Sequence, residues 1–205
     1  MEHVLILTGD AGEELEVYYM LYRLREAGYG VDVAAPERKR LQLVVHDFEP
    51  GWDTYVERPG RGLEADLAFS EVDPERYVAV LIPGGRAPEV IRSDPDVKRI
   101  VAYFFDRKLP VGHMCHGVQV PAAAGYVRGR RVSAHPPLAP DVEAAGGSSW
   151  RARTSSTAPW SRRPAGRTSP SSSVRSCPCS SGLRCPREPL RGTVTGTVTV
   201  TVTWT

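Results

Sequence analysis

One cysteine stands where a nucleophile is expected in an α/β protein. Residues 110–119 read PVGHMCHGVQ, so Cys115 falls directly between a short apolar run and a segment with helical character. At such a strand-to-helix junction, free backbone N–H groups and the positive end of the helix both stabilise a thiolate. The position predicts a thiolate that attacks a carbonyl carbon.

Two glycines mark a second junction. Gly84 and Gly85 follow the apolar run of residues 77–82. Glycine at the end of a buried strand lets the backbone come close to a ligand. The N–H groups of Gly85 and His116 are therefore candidates for an oxyanion hole beside Cys115.

The segments around these junctions alternate between strand and helix patterns. Apolar runs predict strands at residues 3–8, 30–35, 77–82, 111–114 and 130–134, and helical spacing or helix-end signals predict helices at 13–27, 94–106, 118–124 and 139–145. This order is typical of an α/β fold with a parallel sheet covered on both faces. Functional residues of such sheets gather at the carboxyl ends of the strands.

Between residues 41 and 70 the alternation weakens. Residues 41–45 predict a strand, whereas 47–53 and 58–62 are rich in turn formers and predict a surface excursion. Trp52 and Tyr55 lie there; a role in lining a pocket competes with loop anchoring, and we favour anchoring because aromatic side chains usually serve packing.

Histidines outside the motifs receive structural interpretations. His3 and His46 have no partner in any motif and are interpreted as structural or solvated, and His113 as a packing residue. No set of His, Cys and Asp residues shows the spacing of metal ligands, so we expect no metal.

Cysteine usage and hydropathy limit the compartment in which we expect the protein. Cys115 is isolated, while Cys177, Cys179 and Cys185 lie in a segment rich in Ser, Pro and Arg, so no disulfide framework is predicted. The opening residues read as a strand and not as a signal peptide, and no apolar stretch is long enough for a membrane span. We expect a cytoplasmic protein without membrane partners.

The basic residues are unevenly distributed. The formal net charge is +2, yet residues 1–147 hold 17 basic against 23 acidic side chains, and residues 148–205 hold nine arginines against one acid. Nucleic-acid binding requires basic and aromatic residues on a folded face, so we expect no nucleic-acid partner.

Three stretches closely resemble the ThiJ/PfpI family of cysteine enzymes, in the class I glutamine amidotransferase-like superfamily. They are 81–89 (LIPGGRAPE), 115–119 (CHGVQ) and 122–130 (AAAGYVRGR), in the expected order. The resemblance runs from about residue 3 to 147 and is nearest to the PfpI-like intracellular cysteine hydrolases. It implies a flavodoxin-like three-layer sandwich with a mostly parallel sheet and no cofactor.

The resemblance also implies roles for residues. Cys115 matches the nucleophile and Glu16 a carboxylate that contacts the thiol and shuttles protons. From the residues alone, Glu13, Glu14 and Glu16 would all be read as acids favoured by a helix N-terminus.

Two histidines and one further acid match other family positions. His135 occupies a position at which members carry His or Tyr near the thiol, where it would relay protons in a bound hemithioacetal. His116 resembles the second member of a Cys-His-Glu arrangement, with Glu89 supplied by a neighbouring subunit. That arrangement implies a dimer or higher homo-oligomer; the alternative is that Glu89 merely begins a helix.

Residues 148–205 depart from the family. Members continue with a hairpin and a final amphipathic helix, whereas this segment is a low-complexity, irregular tail that ends in a Thr-Val repeat. Our hypothesis is a reading-frame slip near Gly147, because suitable codons for residues 154–161 encode a strand, an Asp-Gly turn and a strand in the neighbouring frame. Resequencing the gene tests it. The predicted domain is therefore 1–147.

Three functions remain open. The first is a cysteine-dependent glyoxalase or deglycase acting on a small aldehyde, using Cys115 with Glu16 and His135. The second is an intracellular peptidase using Cys115, His116 and Glu89. The third is a redox sensor based on Cys115, or a chaperone. We rank carbonyl chemistry first, because a low-pKa thiol with a neighbouring acid suits small electrophiles without an extended peptide groove.

Overall fold

A five-stranded parallel sheet forms the centre of the protein. In a computed structural model of the chain, residues 1–150 are described. Its strands are β1 (His3–Leu7), β2 (Gly30–Ala35), β5 (Leu67–Ala68), β6 (Tyr77–Ile82) and β7 (Val111–His113). They lie in the order β5-β2-β1-β6-β7, and each neighbouring pair is parallel. The helices are α1 (Glu14–Glu26), α2 (Ala87–Ile91), α3 (Pro95–Asp106), α4 (Gln119–Ala123) and α5 (Ala139–Ala144).

Both faces of the sheet are packed against helices. Successive side chains of a strand point to opposite faces. Accordingly Leu5 belongs to the buried cluster that contains Phe104 of α3, whereas Ile6 belongs to the cluster that contains Val17 and Leu21 of α1. The predicted flavodoxin-like three-layer α/β fold with a parallel sheet is confirmed.

The ends of α1 are set by specific residues. The side chain of Glu13 accepts a hydrogen bond from the Glu16 N–H at 2.8 Å and caps the helix. At the other end Gly28 follows with a φ of 89°, a conformation that glycine adopts without strain. Capping by Glu13 fixes where the first turn of the helix starts, and with it the direction of Glu16.

The prediction for residues 58–62 is wrong. Instead of a turn-rich excursion, these residues belong to β4 (Val56–Glu64), which pairs antiparallel with β3 (Arg40–Asp47) in a separate two-stranded sheet. The pairing register shifts between Gln42 and Val44, opposite Pro59. An irregular edge strand accommodates proline because no ladder hydrogen bond is required from it.

The segment after β7 contains shorter elements than predicted. Residues 130–134 supply only the two-residue strand β8 (Arg131–Val132), which pairs with β9 (Ser148–Ser149). A 3₁₀ turn over Cys115–Val118 precedes α4, so that helix starts at Gln119. Most of the predicted irregular tail, residues 151–205, lies outside the described residues.

Across residues 1–150, none of the helices has both the length and the apolar composition that crossing a membrane requires.

Candidate active site

The site lies at the carboxyl ends of β1, β6 and β7, as the parallel sheet predicts. Two loops are joined there by a pair of backbone hydrogen bonds. Glu13 donates its N–H to the carbonyl of Gly84 at 3.2 Å, and Arg86 donates to the carbonyl of Ala11 at 2.8 Å. These bonds flank a bridge between Gly12 and Gly85. The loop before α1 and the loop after β6 therefore form one rigid rim.

Cys115 adopts a left-handed backbone conformation at the end of β7. Its φ is 50°, which is uncommon for a residue other than glycine and is often found at functional sites. The turn is closed by Gly117, which donates its N–H to Met114 at 2.7 Å. A Cβ on Gly117 would collide with the carbonyl oxygen of Ile82, so this turn requires a glycine.

Gly84 lies against both reactive side chains. A Cβ at this position would be 2.6 Å from the Cβ of Cys115, 2.8 Å from Oε2 of Glu16 and 3.1 Å from the backbone nitrogen of His116. The first two distances are shorter than real Cβ atoms show, so a side chain at Gly84 would force the thiol or the carboxylate to shift. The missing side chain provides the space in which the thiol and the carboxylate meet.

Glu16 is held beside the thiol by the backbone. Its Oε2 accepts the N–H of Gly84 at 2.5 Å, and its side chain is a hydrogen-bond partner of Cys115. The two competing acids have other partners. Glu13 caps α1, and Glu14 accepts the backbone N–H of Arg61. The structure therefore places Glu16, among the three acids, at the predicted position.

Burial shapes the ionisation of this pair. Loss of hydration raises the pKa of Glu16 to about 7, assisted by the nearby charge of Glu13 and opposed by the Gly84 hydrogen bond. Loss of hydration and then the Glu16 carboxylate also raise the pKa of Cys115, although a backbone hydrogen bond from His116 opposes the rise. The predicted free thiolate is therefore wrong: the thiol shares its environment with a carboxylate, and the single 3₁₀ turn does not outweigh both effects.

His116 lies next to the sulfur as a neutral imidazole. Its Nδ1 is 3.2 Å from Sγ of Cys115. Burial, followed by the charges of His135 and His46, lowers the pKa of His116 to about 4. An imidazole of this kind is a weaker base than Glu16, so the carboxylate is the group better suited to accept the thiol proton.

The remaining predicted residues are divided between the site and its surroundings. The N–H of His135 contacts the carbonyl of Cys115 at 3.4 Å, and its ring centroid lies 5.3 Å from that of His116. Gly85 has a φ of 78° in the rim. Glu89 is exposed on α2, and its side chain is not among the described contacts of His116.

Sequence reasoning missed the contribution of the antiparallel pair β3 and β4, called the hairpin from here on. His46, interpreted as structural or solvated, and Tyr55, interpreted as a loop anchor, stack with ring centroids 3.8 Å apart in the site. Tyr55 also contacts His116 and His135. The available signal was the pairing of opposite charges, since His46 lies opposite Glu57 in the hairpin register. That signal is readable only once β4 is recognised as a strand.

The other histidines lie away from the reacting groups. His113 is buried in β7, where burial lowers its pKa to about 4, in agreement with a packing role. His3 lies at the opposite edge of the sheet, 3.3 Å from Asp32. Within residues 1–150, no cluster of three or more His, Cys, Asp or Glu side chains has an arrangement that could hold a metal ion.

The chain is a flavodoxin-like α/β protein with a partly buried cysteine beside a carboxylate at the carboxyl edge of its sheet. The DJ-1/PfpI family model matches residues 2–159. The chain belongs to the DJ-1/PfpI family, which is the family that the sequence motifs indicate.

Individual relatives agree with this assignment. The chain is 36% identical over 143 residues to a deglycase of Thermococcus kodakarensis, covering 70% of this chain and 78% of that protein. It is 38% identical over 149 residues to protein DJ-1 homolog D of Arabidopsis thaliana, covering 71% of this chain but only 38% of that longer protein. Relatives named deglycases support an enzyme of this family.

Solved structures show the same fold. A two-domain protein of Anabaena variabilis, with DJ-1/ThiJ/PfpI-like and ferritin-like domains, superposes with a TM-score of 0.65 at 25% identity. The match covers 73% of this chain and 40% of that one. A ThiJ/PfpI domain protein of Brachyspira murdochii gives a TM-score of 0.61 at 19% identity, over 73% of this chain and 78% of that one.

Proposed function

We propose that this chain is a cofactor-independent, cysteine-dependent enzyme that acts on reactive carbonyl compounds, of the glyoxalase or deglycase type. The observation that carries the proposal is the contact of Cys115 with Glu16, whose carboxylate is held by the N–H of Gly84. A partly buried carboxylate whose pKa is about 7 is matched to proton transfer near neutral pH. The deglycase of Thermococcus kodakarensis, at 36% identity, supports this reaction class.

The first step is addition of the thiol to an aldehyde. A bond forms between Sγ of Cys115 and the carbonyl carbon, the π electron pair moves to oxygen, and the thiol proton passes to Glu16. No preformed thiolate is needed, because the base lies beside the thiol. The N–H groups of Gly85 and His116 are the proposed donors to the new oxyanion.

The second step rearranges the hemithioacetal. With methylglyoxal, a proton leaves the carbon bound to sulfur and a proton returns to the neighbouring carbon, which converts the hemithioacetal into a thioester without an external oxidant. Neutral His135, with Glu16, is the proposed carrier of these protons. Water then hydrolyses the thioester, which releases lactate and restores the Cys115 thiol.

The second candidate is an intracellular cysteine peptidase. The 3.2 Å contact between Sγ of Cys115 and Nδ1 of His116 favours it. Its third member, Glu89, would come from a neighbouring subunit of a homo-oligomer, since Glu89 is exposed on its own chain. The lowered pKa of His116 counts against this candidate, because a neutral, weakly basic imidazole does not form an ion pair with a thiolate. A redox sensor based on Cys115, or a chaperone, is the non-enzymatic alternative.

Two matched carboxylate-to-amide variants separate the two enzymes. We expect Glu16→Gln to abolish lactate formation from methylglyoxal and Glu89→Gln to leave it within about twofold of the parent. Peptide hydrolysis, measured with a fluorogenic peptide, is expected to be absent in all three proteins. Peptide cleavage that disappears in Glu89→Gln, together with no lactate from the parent, would replace the carbonyl assignment with the peptidase.

A further inference from the structure

The half-buried ring of Tyr55 packs against the two histidines that adjoin the cysteine. One face stacks on His46, with centroids 3.8 Å apart. The ring meets His116 edge-on at 6.4 Å and 88°, and its centroid lies 6.2 Å from that of His135. Nδ1 of His116 is 3.2 Å from Sγ of Cys115, and the N–H of His135 contacts the carbonyl of the same cysteine. Tyr55 therefore borders the space beside the sulfur.

Two contacts fix the hairpin, and with it Tyr55, against the rim of the site. The N–H of Val44 in β3 donates to the carbonyl of Gly12 at 3.0 Å. In β4, Oε2 of Glu57 is 3.0 Å from Nε of Arg86, which follows Gly85 in the rim. Each strand of the hairpin is thus bound to one of the two loops that form the rim.

The hydroxyl group of Tyr55 is available to a ligand. No group within residues 1–150 is its hydrogen-bond partner. Loss of hydration is the main cause that raises the pKa of this phenol to about 12, followed by the negative charges of Cys115, Glu57 and Glu89. The positive charge of Arg86 opposes the rise. The charges that act on the hydroxyl thus belong to the reactive cysteine and its surroundings, and the phenol remains a hydrogen-bond donor at neutral pH.

The rearrangement of the hemithioacetal places negative charge on a second oxygen. When a proton leaves the carbon bound to sulfur, the C–H electron pair forms a double bond to the neighbouring carbon, and the π pair of the neighbouring carbonyl moves to its oxygen. His135 then returns the proton to the neighbouring carbon, and the hydroxyl proton of the first oxygen passes to the second, which leaves the thioester. A donor aimed at the second oxygen would lower the barrier of this step.

We propose that Tyr55 is this donor: its hydroxyl group binds the carbonyl oxygen next to the carbon attacked by Cys115 and stabilises the charge that the rearrangement places there. The inference rests on the proposed function. It adds a second donor to those proposed for the first oxygen, the N–H groups of Gly85 and His116. It also specifies the substrate class as vicinal dicarbonyl compounds, because a simple aldehyde has no second oxygen to bind.

Tyr55→Phe tests the proposal, because it retains the ring and removes only the hydroxyl group. Loss of one donor to a developing oxyanion costs on the order of 100-fold in kcat, so kcat for lactate formation from methylglyoxal should fall by about that factor. KM should stay within about threefold, since the charge exists only in the transition state. Tyr126→Phe is the matched control: its hydroxyl donates to Asp106 at 2.8 Å, away from the site, and its loss should change neither constant.

Methylglyoxal with deuterium on its aldehyde carbon shows which step the hydroxyl serves. If Tyr55 assists removal of this hydrogen, the kinetic isotope effect on kcat in Tyr55→Phe is at least as large as in the parent. A smaller isotope effect would overturn the proposal, and so would a kcat within about twofold of the parent.

The fate of the proposed function is read from the parent. The assay uses the full chain or, if that is inactive, a variant with a family-like segment in place of residues 148–205. Lactate formation that is unchanged in Tyr55→Phe overturns this inference alone. No lactate from either cysteine-containing protein overturns the proposed function and this inference together.

Discussion

Glu16 and Cys115 are hydrogen-bond partners across the gap left by Gly84. The Glu16 carboxylate accepts the N–H of Gly84 at 2.5 Å, and Cys115 has a left-handed backbone conformation with a φ of 50°. Neither side chain is at its ordinary pKa, because each has lost much of its hydration and each is influenced by the other. The pair therefore behaves as one proton-exchanging unit.

The rate should rise with pH through the pKa of Glu16. Glu16 accepts the thiol proton only when it is ionised, so kcat/KM for methylglyoxal is expected to increase across about pH 7. The charge of Glu13 contributes to the raised value, so Glu13→Gln should move this limb to lower pH while Gln still caps α1. A profile that is flat between pH 6 and pH 8 would contradict the role of Glu16 as base.

Removing the carboxylate should make the thiol more acidic. In Glu16→Gln the negative charge that raises the pKa of Cys115 is absent, so the thiolate forms at lower pH. The rate of alkylation of Cys115 by iodoacetamide, followed by peptide mass spectrometry, is measured as a function of pH, and its midpoint is expected at lower pH than in the parent. Glu14→Gln is the control, because Glu14 is bound to Arg61 and should leave the midpoint unchanged. A midpoint in Glu16→Gln at the same pH as in the parent, or at higher pH, would refute the assigned coupling.

Stability should fall as the pH rises past the pKa of Glu16. The folded state raises that pKa from 4.5 to about 7, so folding favours the protonated acid. The stabilisation is complete below pH 4.5 and is lost as the pH rises through 7, at a cost of about 3 kcal/mol. Glu16→Gln should therefore raise the free energy of unfolding at pH 8 more than at pH 5, as measured by urea denaturation. An equal effect at both pH values would show that Glu16 is not buried as described.

Which features could be predicted depends on how local their causes are. The strands at 30–35 and 77–82 were predicted with correct bounds because continuous apolar runs specify buried parallel strands. Residues 58–62 were not, since Pro59 and Gly60 favour turns locally and only pairing with β3 makes them a strand. Tertiary pairing overrode local preference there.

In the candidate site, too, the sequence predicts the features with local causes and not those that depend on the fold. Cys115 and Gly84 were found from their place after buried strands. The choice of Glu16 over Glu13 came from the family motif, because three acids at one helix start look alike in sequence. The ionisation of the thiol could not be predicted, since it depends on burial and on Glu16, which only the fold brings to Cys115.

A side chain at Gly84 should damage the site more than the fold. The Cβ of Gly84→Ala would lie 2.6 Å from the Cβ of Cys115 and would push thiol and carboxylate apart. A displacement of about 1 Å costs on the order of 100-fold in rate, so kcat/KM should fall by about that factor. Gly125→Ala, at a φ of 83° with no atom within 4 Å of the new Cβ, is the control for strain alone. Similar values of kcat/KM in Gly84→Ala and Gly125→Ala would contradict the close approach of Gly84 to Cys115.

Lactate formation from methylglyoxal tests whether Cys115 performs carbonyl chemistry. The rate is measured for the parent, for Cys115→Ser and for a variant with a family-like segment in place of residues 148–205. We expect lactate from the parent or from the variant with the family-like segment, and none once Cys115 is replaced in whichever of the two is active. Lactate formation that survives loss of Cys115, or no turnover by either cysteine-containing protein, would show that Cys115 does not perform this chemistry.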